Sequence, residues 1–414
     1  MGMNDVPLVA PFRGERYSGG VSLTEVVAPP YDVIGESERA TLVQRHPCNV
    51  VHVILPQGNG DRYGRAAKRL AEWRQRGQLV ADPSPGVYVV RQRFATPDGA
   101  LHVRTGVIAA VVAEPFARGR VKPHEKTHSG PKQDRLDLLR ATGTMCEALL
   151  MLSRDSSGVL RRALAGVTAA PPLAGATLDG VEISLWRVDQ PRADSLAAPA
   201  GGEPLYIADG HHRYETTVAY RAENAAAGHT LALIVPLGDP GLVVLPTHRL
   251  VPGQRVPGDV VAGMAEYFVV EPLRSAAAAR EALAELAAGP GGCVVVLERG
   301  AYRLRRRSGS LPAAMSGQGP VVGSLDVAWA DTLVVPPLKR AAGEEPLRYT
   351  PDLEAALRAV RDGGAGAAVL LNPPAVEDVL AVADAAAFMP PKATFFTPKV
   401  PSGLVFLNYG RPIS

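Results

Sequence analysis

The stretch Leu205-Tyr-Ile-Ala-Asp-Gly-His-His-Arg-Tyr-Glu215 constrains this chain more than any other. Leu205 to Ala208 form an apolar, partly β-branched and aromatic run with the character of a buried strand, and Glu215 to Ala227 are helix formers. Asp209 to Arg213 therefore fall at a strand-to-helix junction, where layered α/β proteins bind ligands. Gly210 permits a tight turn or a close approach of backbone to ligand. The start of the following helix offers N–H groups and a partial positive charge suited to phosphate.

The pattern to either side is an alternation of strands and helices. Glu36 to Gln44 reads as a short helix, Asn49 to Leu55 as a buried strand, and Arg62 to Arg76 as an amphipathic helix with Leu70 and Trp73 inside. Val87 to Phe94 and Leu101 to Ala113 read as strands joined by the turn Thr96-Pro-Asp-Gly99. Beyond a Pro/Gly-bearing stretch at Val251 to Gly258 the alternation resumes, with strands at Cys293 to Glu298 and Ala367 to Leu371. Thr350-Pro351 reads as an N-cap and first position of a helix running to Asp362. The expected fold is thus α/β (mixed α+β), with one region over 1–250 that contains the junction and a C-terminal α/β domain over 251–414.

With 414 residues, 46% of them hydrophobic and 21% charged, the composition is globular. No apolar run approaches the roughly 20 residues that span a bilayer, and the N-terminus lacks a basic region followed by an apolar core. The expected compartment is the cytoplasm. Cys48, Cys146 and Cys293 are odd in number and far apart, which suits neither a disulfide framework nor a zinc site. A net charge of +3 gives no basic surface for nucleic acid, and the dense run Arg303-Leu-Arg-Arg-Arg307 reads as a solvated strand edge.

Two further polar clusters stand out. The first is Val121-Lys-Pro-His-Glu-Lys-Thr-His-Ser-Gly-Pro-Lys132, which holds three of the seven lysines and precedes an apolar helix at Arg135 to Ala141. The second, Met389-Pro-Pro-Lys-Ala-Thr-Phe-Phe-Thr-Pro-Lys399, is rigid, aromatic and basic, with Lys392 and Phe395-Phe396 expected to fold back toward the site. Adjacent His211 and His212 do not suit zinc, whereas Asp209 can hold Mg²⁺, which takes one or two carboxylates plus phosphate oxygens and water. The same pattern also fits a plain helix cap in which Asp209 bonds the turn. Glu125, flanked by His124, Lys126 and His128, has the chemistry of a base for a hydroxyl acceptor, and equally of a loop carboxylate paired with lysine. Asp32, after Pro29 and Pro30, is a weaker candidate for that base.

The Ala208-Asp-Gly-His-His-Arg-Tyr-Glu215 box, with Ala28-Pro-Pro-Tyr-Asp-Val-Ile34, Lys122-Pro-His-Glu-Lys-Thr127, Pro246-Thr-His-Arg249 and Met389-Pro-Pro-Lys392, resembles a bacterial family catalogued as a domain of unknown function. Within it, Asp209-Gly-His-His-Arg213 is similar to the phosphate-binding box of the ParB/sulfiredoxin superfamily, most closely that of the free serine kinases. That resemblance implies a ParB/sulfiredoxin-like nucleotide-binding core with insertions, a nucleotide (ATP or ADP) with Mg²⁺ on Asp209, and transfer to the hydroxyl of serine or a serine-like molecule. It implies Gly210, His211, His212 and Arg213 around the phosphates, with Asp209 and His211 catalytic. It matches His124-Glu125 to the kinases' His-Glu pair, with Glu125 as base, though an insertion then separates the pair from the box. Lys126, Lys132 and Arg249 are candidates for the substrate carboxylate or the triphosphate. The alternative is a ParB-like regulatory protein that binds and slowly hydrolyses nucleotide without a small-molecule acceptor.

Overall fold

The computed structural model describes residues 6–127, 129–309 and 311–411. The fold is mixed α/β, and the chain gathers into two compact units that are not consecutive in sequence. One comprises Met1–Pro123, Thr127–Val243 and Pro398–Ser414; the other comprises His124–Lys126 and Val244–Thr397. No helix among the described residues is long and apolar enough to cross a membrane.

The first unit is built on a nine-stranded mixed sheet. Its strands run Val121–Lys122, Leu205–Asp209, Leu149–Ser153, His229–Pro236, Leu101–Val112, Gly86–Ala95, Val181–Asp189 and Ala174–Leu178, with Val9–Ala10 added beside Leu101–Val112. The inner strands read as continuous apolar runs because both faces are covered: every residue of Leu149–Ser153 is buried. Val181–Asp189, nearer the edge, instead shows buried positions interleaved with open ones. The Pro-Asp-Gly turn forms as its residues dictate, with Gly99 at φ 84° and the Gly99 N–H donating to Thr96 O at 2.8 Å.

Three local expectations are corrected. Asn49 to Leu55 is not a strand; Val51–Ile54 is a single helical turn, because the Asn49 side chain accepts from Val51 N–H at 3.0 Å and donates to Glu25 O at 2.7 Å. A short buried apolar run carries no periodicity that separates the two possibilities. Thr350 ends the strand Arg348–Thr350, and Asp352 caps the helix Leu353–Arg361 by accepting from Ala355 N–H at 3.1 Å. The arginine run lies on Gly300–Arg306, an interior strand, where Arg303 pairs with Glu271 at 2.7 Å and Arg306 with Asp326 at 3.2 Å.

The second unit holds a six-stranded antiparallel sheet in the order Phe268–Leu273, Gly300–Arg306, Gly292–Leu297, Ala367–Leu370, His248–Val251 and Arg348–Thr350. Leu283 and Leu286 from the helix Ala279–Ala287 and Val360 from Leu353–Arg361 pack on Val294, Val296 and Leu370 to form its core. The three cysteines are buried and free, two in the first unit and Cys293 in the second.

The last segment of the chain belongs to the first unit. Phe406 and Glu15 exchange backbone hydrogen bonds at 3.0 and 2.9 Å, Leu407 and Asn408 pair with Met145 and Thr144, and Tyr409 Oη donates to His229 O at 2.8 Å. Buried Glu15 also accepts from Arg74, Asn408 and Arg411. Phe406 is fully buried, its ring edge-on to Tyr17 at 5.5 Å. Phe406→Ala is therefore expected to cost about 3–5 kcal/mol. Equilibrium denaturation of the full chain measures this, and an unchanged midpoint would show that the segment merely lies on the surface.

Candidate functional site

The turn after Leu205–Asp209 is shaped by two backbone features. The strand shifts register against Leu149–Ser153 between Ile207 and Asp209, an irregularity of the kind that re-aims a side chain. Gly210 then adopts φ 98°, and the helix His211–Glu223 starts at once, with Tyr214 N–H donating to Gly210 O at 3.0 Å. A Cβ on Gly210 would press on the Arg213 guanidinium at 3.0–3.1 Å, and the left-handed backbone itself favours glycine. The helix is anchored by Tyr214, whose hydroxyl donates to Glu114 O at 2.9 Å and whose ring stacks on Phe116 at 5.2 Å.

Asp209 sits at the centre of this turn with its side chain 17% exposed. Oδ2 accepts from Arg213 Nη2 at 2.7 Å, and Oδ1 accepts from Lys399 Nζ. Arg213 turns its other amino group to Ala148 O at 2.9 Å, so its guanidinium braces the turn between two protein acceptors. Burial alone would raise the Asp209 pKa; Lys399 first, then Arg213 and His211, hold the carboxyl well below the usual carboxylate range. Burial likewise works against the Arg213 charge, and Asp209, followed by Glu147 and Asp32, more than offsets it.

Lys399 is held in place through its backbone. Arg104 Nη2 donates to Pro398 O at 2.5 Å, Gln92 Nε2 donates to Lys399 O at 3.1 Å, and Arg104 and Gln92 are joined to each other at 2.6 Å. Arg104 is only 1% exposed; burial pushes its pKa down to about 10, against the pull of Asp239 and Asp209, which leaves it charged at neutral pH. An arginine within the apolar strand Leu101–Val112 was the one trace of this clamp in the sequence. The basic segment Met389–Lys399 was recognised as unusual, but it is Lys399 and not Lys392 that reaches Asp209.

Other candidates find different partners. Lys132 Nζ donates to Glu215 Oε2 at 2.7 Å, as does Thr127 Oγ1 at the same distance, so this lysine is drawn to the second turn of the motif helix. His211 is buried and His212 half-buried at the start of that helix. Asp32 shares the first unit with the box and lies in the electrostatic neighbourhood of Tyr31 and Arg213. The Arg135 guanidinium covers the Tyr31 ring at 4.0 Å, and burial, then Asp32, push the Tyr31 pKa up to about 12.

Glu125, Lys126 and Arg249 belong to the second unit. Arg249 is fully buried, with Nε and Nη2 donating to Asp331 at 2.8 and 3.0 Å and Nη1 donating to Thr247 O. Asp331 lies in a π-helical turn, Ala330–Val334. Arg249 thus bridges protein acceptors, and its guanidinium lies 5.6 Å from the Tyr349 ring. The Tyr349 pKa is raised by burial and then Asp331, with Glu125 adding to the rise, so Glu125 and Arg249 share one neighbourhood. Lys126 lies 5.5 Å over the Phe388 ring, and buried His124 meets Thr394 Oγ1 at 3.2 Å. His128 lies outside the described residues.

A divalent cation does not fit the carboxylate as the protein holds it. Both Asp209 oxygens accept from cationic side chains, so a metal ligated there would share the carboxylate with Lys399 and Arg213 and meet their positive charge. Among the described residues no group of three or more His, Cys, Asp or Glu side chains is placed to hold a metal.

The sequence pattern of the family described as "Protein of unknown function (DUF1015)" matches residues 9–328, and the chain belongs to that family. No curated protein matches it. Among solved structures it is similar to a free serine kinase in complex with AMP, at 15% identity and TM-score 0.38, over 69% of this chain and 89% of that one. A conserved hypothetical protein from Pyrococcus furiosus matches at 15% identity and TM-score 0.38, over 70% and 93%. SbnI with a C-terminal truncation, from Staphylococcus aureus, matches at 10% identity and TM-score 0.34, over 74% and 85%.

The depressed Asp209 carboxyl fixes a sign for pH dependence. A carboxyl with a lower pKa folded than unfolded contributes stability that is present above the unfolded value, about 3.9, and lost as pH falls through the folded one. Asp209→Asn is expected to lower stability at neutral pH by about 3 kcal/mol, since it leaves Lys399 and Arg213 without their counter-charge. The gap to wild type should narrow below the ordinary carboxylate range. Urea midpoints from neutral pH downward measure it; a gap independent of pH would mean that the ion pairs contribute nothing.

Proposed function

We propose that this member of the DUF1015 family is a nucleotide-dependent phosphotransferase acting on the hydroxyl of a small molecule, serine or serine-like. The observation that carries the reading is the Asp209–Arg213 turn itself. A single carboxylate is paired directly with two cations, Lys399 and Arg213, at a helix N-terminus that also bears His211 and His212. A helix terminus suits nucleotide phosphates, whose oxygens accept from the first N–H groups of the helix. In this reading His211 and His212 lie beside the phosphates, Gly210 allows their close approach, and Arg213 keeps the turn in shape.

Phosphoryl transfer requires positioning and charge neutralisation more than covalent chemistry. The acceptor oxygen forms the new P–O bond, the P–O bond to the nucleotide breaks, and the hydroxyl proton passes to a carboxylate. Glu125 is that base by its place in the His124-Glu125 pair; Asp32 is the second candidate. Mg²⁺, where present, neutralises phosphate charge as an ion carried by the nucleotide and water.

The test is formation of phosphoserine by the full chain from L-serine with ATP or ADP, followed by mass spectrometry. Glu125→Gln is expected to lower transfer by roughly 10²–10⁴-fold while leaving nucleotide affinity unchanged. Transfer unaffected by Glu125→Gln and abolished by Asp32→Asn would move the base to Asp32. Phosphate release that is indifferent to every hydroxyl acceptor would contradict a phosphotransferase and favour the regulatory alternative.

A further inference from the structure

The chain commits an unusual amount of structure to placing one lysine. Residues 398–411 return to the first unit, where the carbonyls of Pro398 and Lys399 are gripped by the buried Arg104–Gln92 pair. The side chain so positioned donates to Asp209 Oδ1, the oxygen that Arg213 leaves open, while Arg213 takes Oδ2. Surface lysines seldom receive such support, because an exposed ion pair is worth little against the entropy of a long flexible stem. Here both partners are mostly buried, with side chains 19% and 17% exposed.

We propose that the Lys399 ammonium takes the place of a divalent cation at Asp209, so that the turn binds the phosphates of a nucleotide without a metal on its carboxylate. This rests on the phosphotransferase reading for the ligand and goes beyond it in the means of binding. An ammonium carries one positive charge and three donors, and can bridge a carboxylate to a phosphate oxygen as a metal does. It differs in being fixed to the chain, so its occupancy does not depend on free metal concentration. The placement also gives the last segment of the chain a role at the site: Lys399 is supplied by residues that follow the entire second unit.

The experiment is calorimetric titration of the full-length protein with ADP, once in excess EDTA and once in MgCl₂, for wild type, Lys399→Met and Lys399→Arg. Wild type is expected to bind in EDTA with an affinity within about threefold of that in Mg²⁺, and Lys399→Met to lose about tenfold or more in EDTA. Mg²⁺ should restore much of the Lys399→Met loss by occupying the vacated carboxylate, and Lys399→Arg should bind in EDTA like wild type. Recovery in Mg²⁺ separates loss of the ammonium from loss of the fold, which would weaken binding in both buffers. Wild-type binding that requires Mg²⁺, or Lys399→Met binding in EDTA like wild type, overturns the proposal. So does loss in both buffers by Lys399→Met and Lys399→Arg alike. Absence of ADP binding by wild type in either buffer overturns the nucleotide reading, and the inference with it.

Discussion

The pairing of Asp209 with Arg213 on one side and Lys399 on the other is the interaction on which the candidate site depends. Each member is useful only with the others. Asp209 buried alone would favour its neutral form, and the two cations buried without it would repel each other. Together they fix the turn between the strand Leu205–Asp209 and the helix His211–Glu223, and they tie residues distant in sequence to one point. The Gly210 conformation is part of the same arrangement, since a side chain there would press on the Arg213 guanidinium.

The architecture around that point supplies partners to the polar groups that enter it. The strand Leu205–Asp209 lies between Val121–Lys122 and Leu149–Ser153, and its first four residues are buried. Several polar side chains that enter this apolar frame come with partners, although buried Ser153 Oγ makes no hydrogen bond. Arg104 meets Gln92 and Pro398 O, Glu147 accepts from Tyr31 N–H and Ser402, and Tyr214 meets Glu114 O. Such satisfied groups carry little net stability each, but they leave few alternative arrangements for the turn.

Much of this was legible in the sequence, and the remainder was hidden for physical reasons. The strand–glycine–helix junction was readable because each residue's preference is local: an apolar run, a turn-forming glycine, helix formers. The Asn49 to Leu55 segment was misread because four buried apolar residues are compatible with either a strand or one helical turn, and the deciding hydrogen bonds come from the Asn49 side chain. Lys399 and Arg104 were missed as site residues because their significance is a matter of tertiary placement, across 190 residues in the case of Lys399 and Asp209. The partners of Arg249 were hidden in the same way: its motif suggested a ligand contact, and the structure joins it to Asp331 and Thr247 O.

The central claim is that the Asp209–Arg213 turn is a phosphate site, and phosphorus NMR of ADP during titration with the full-length protein tests it most directly. The account predicts that the phosphate resonances shift or broaden with wild type and stay unperturbed with Gly210→Ala, whose added Cβ strains a left-handed position and crowds the Arg213 guanidinium. Phosphate resonances that remain unchanged with wild type, or that respond equally to Gly210→Ala, would contradict it.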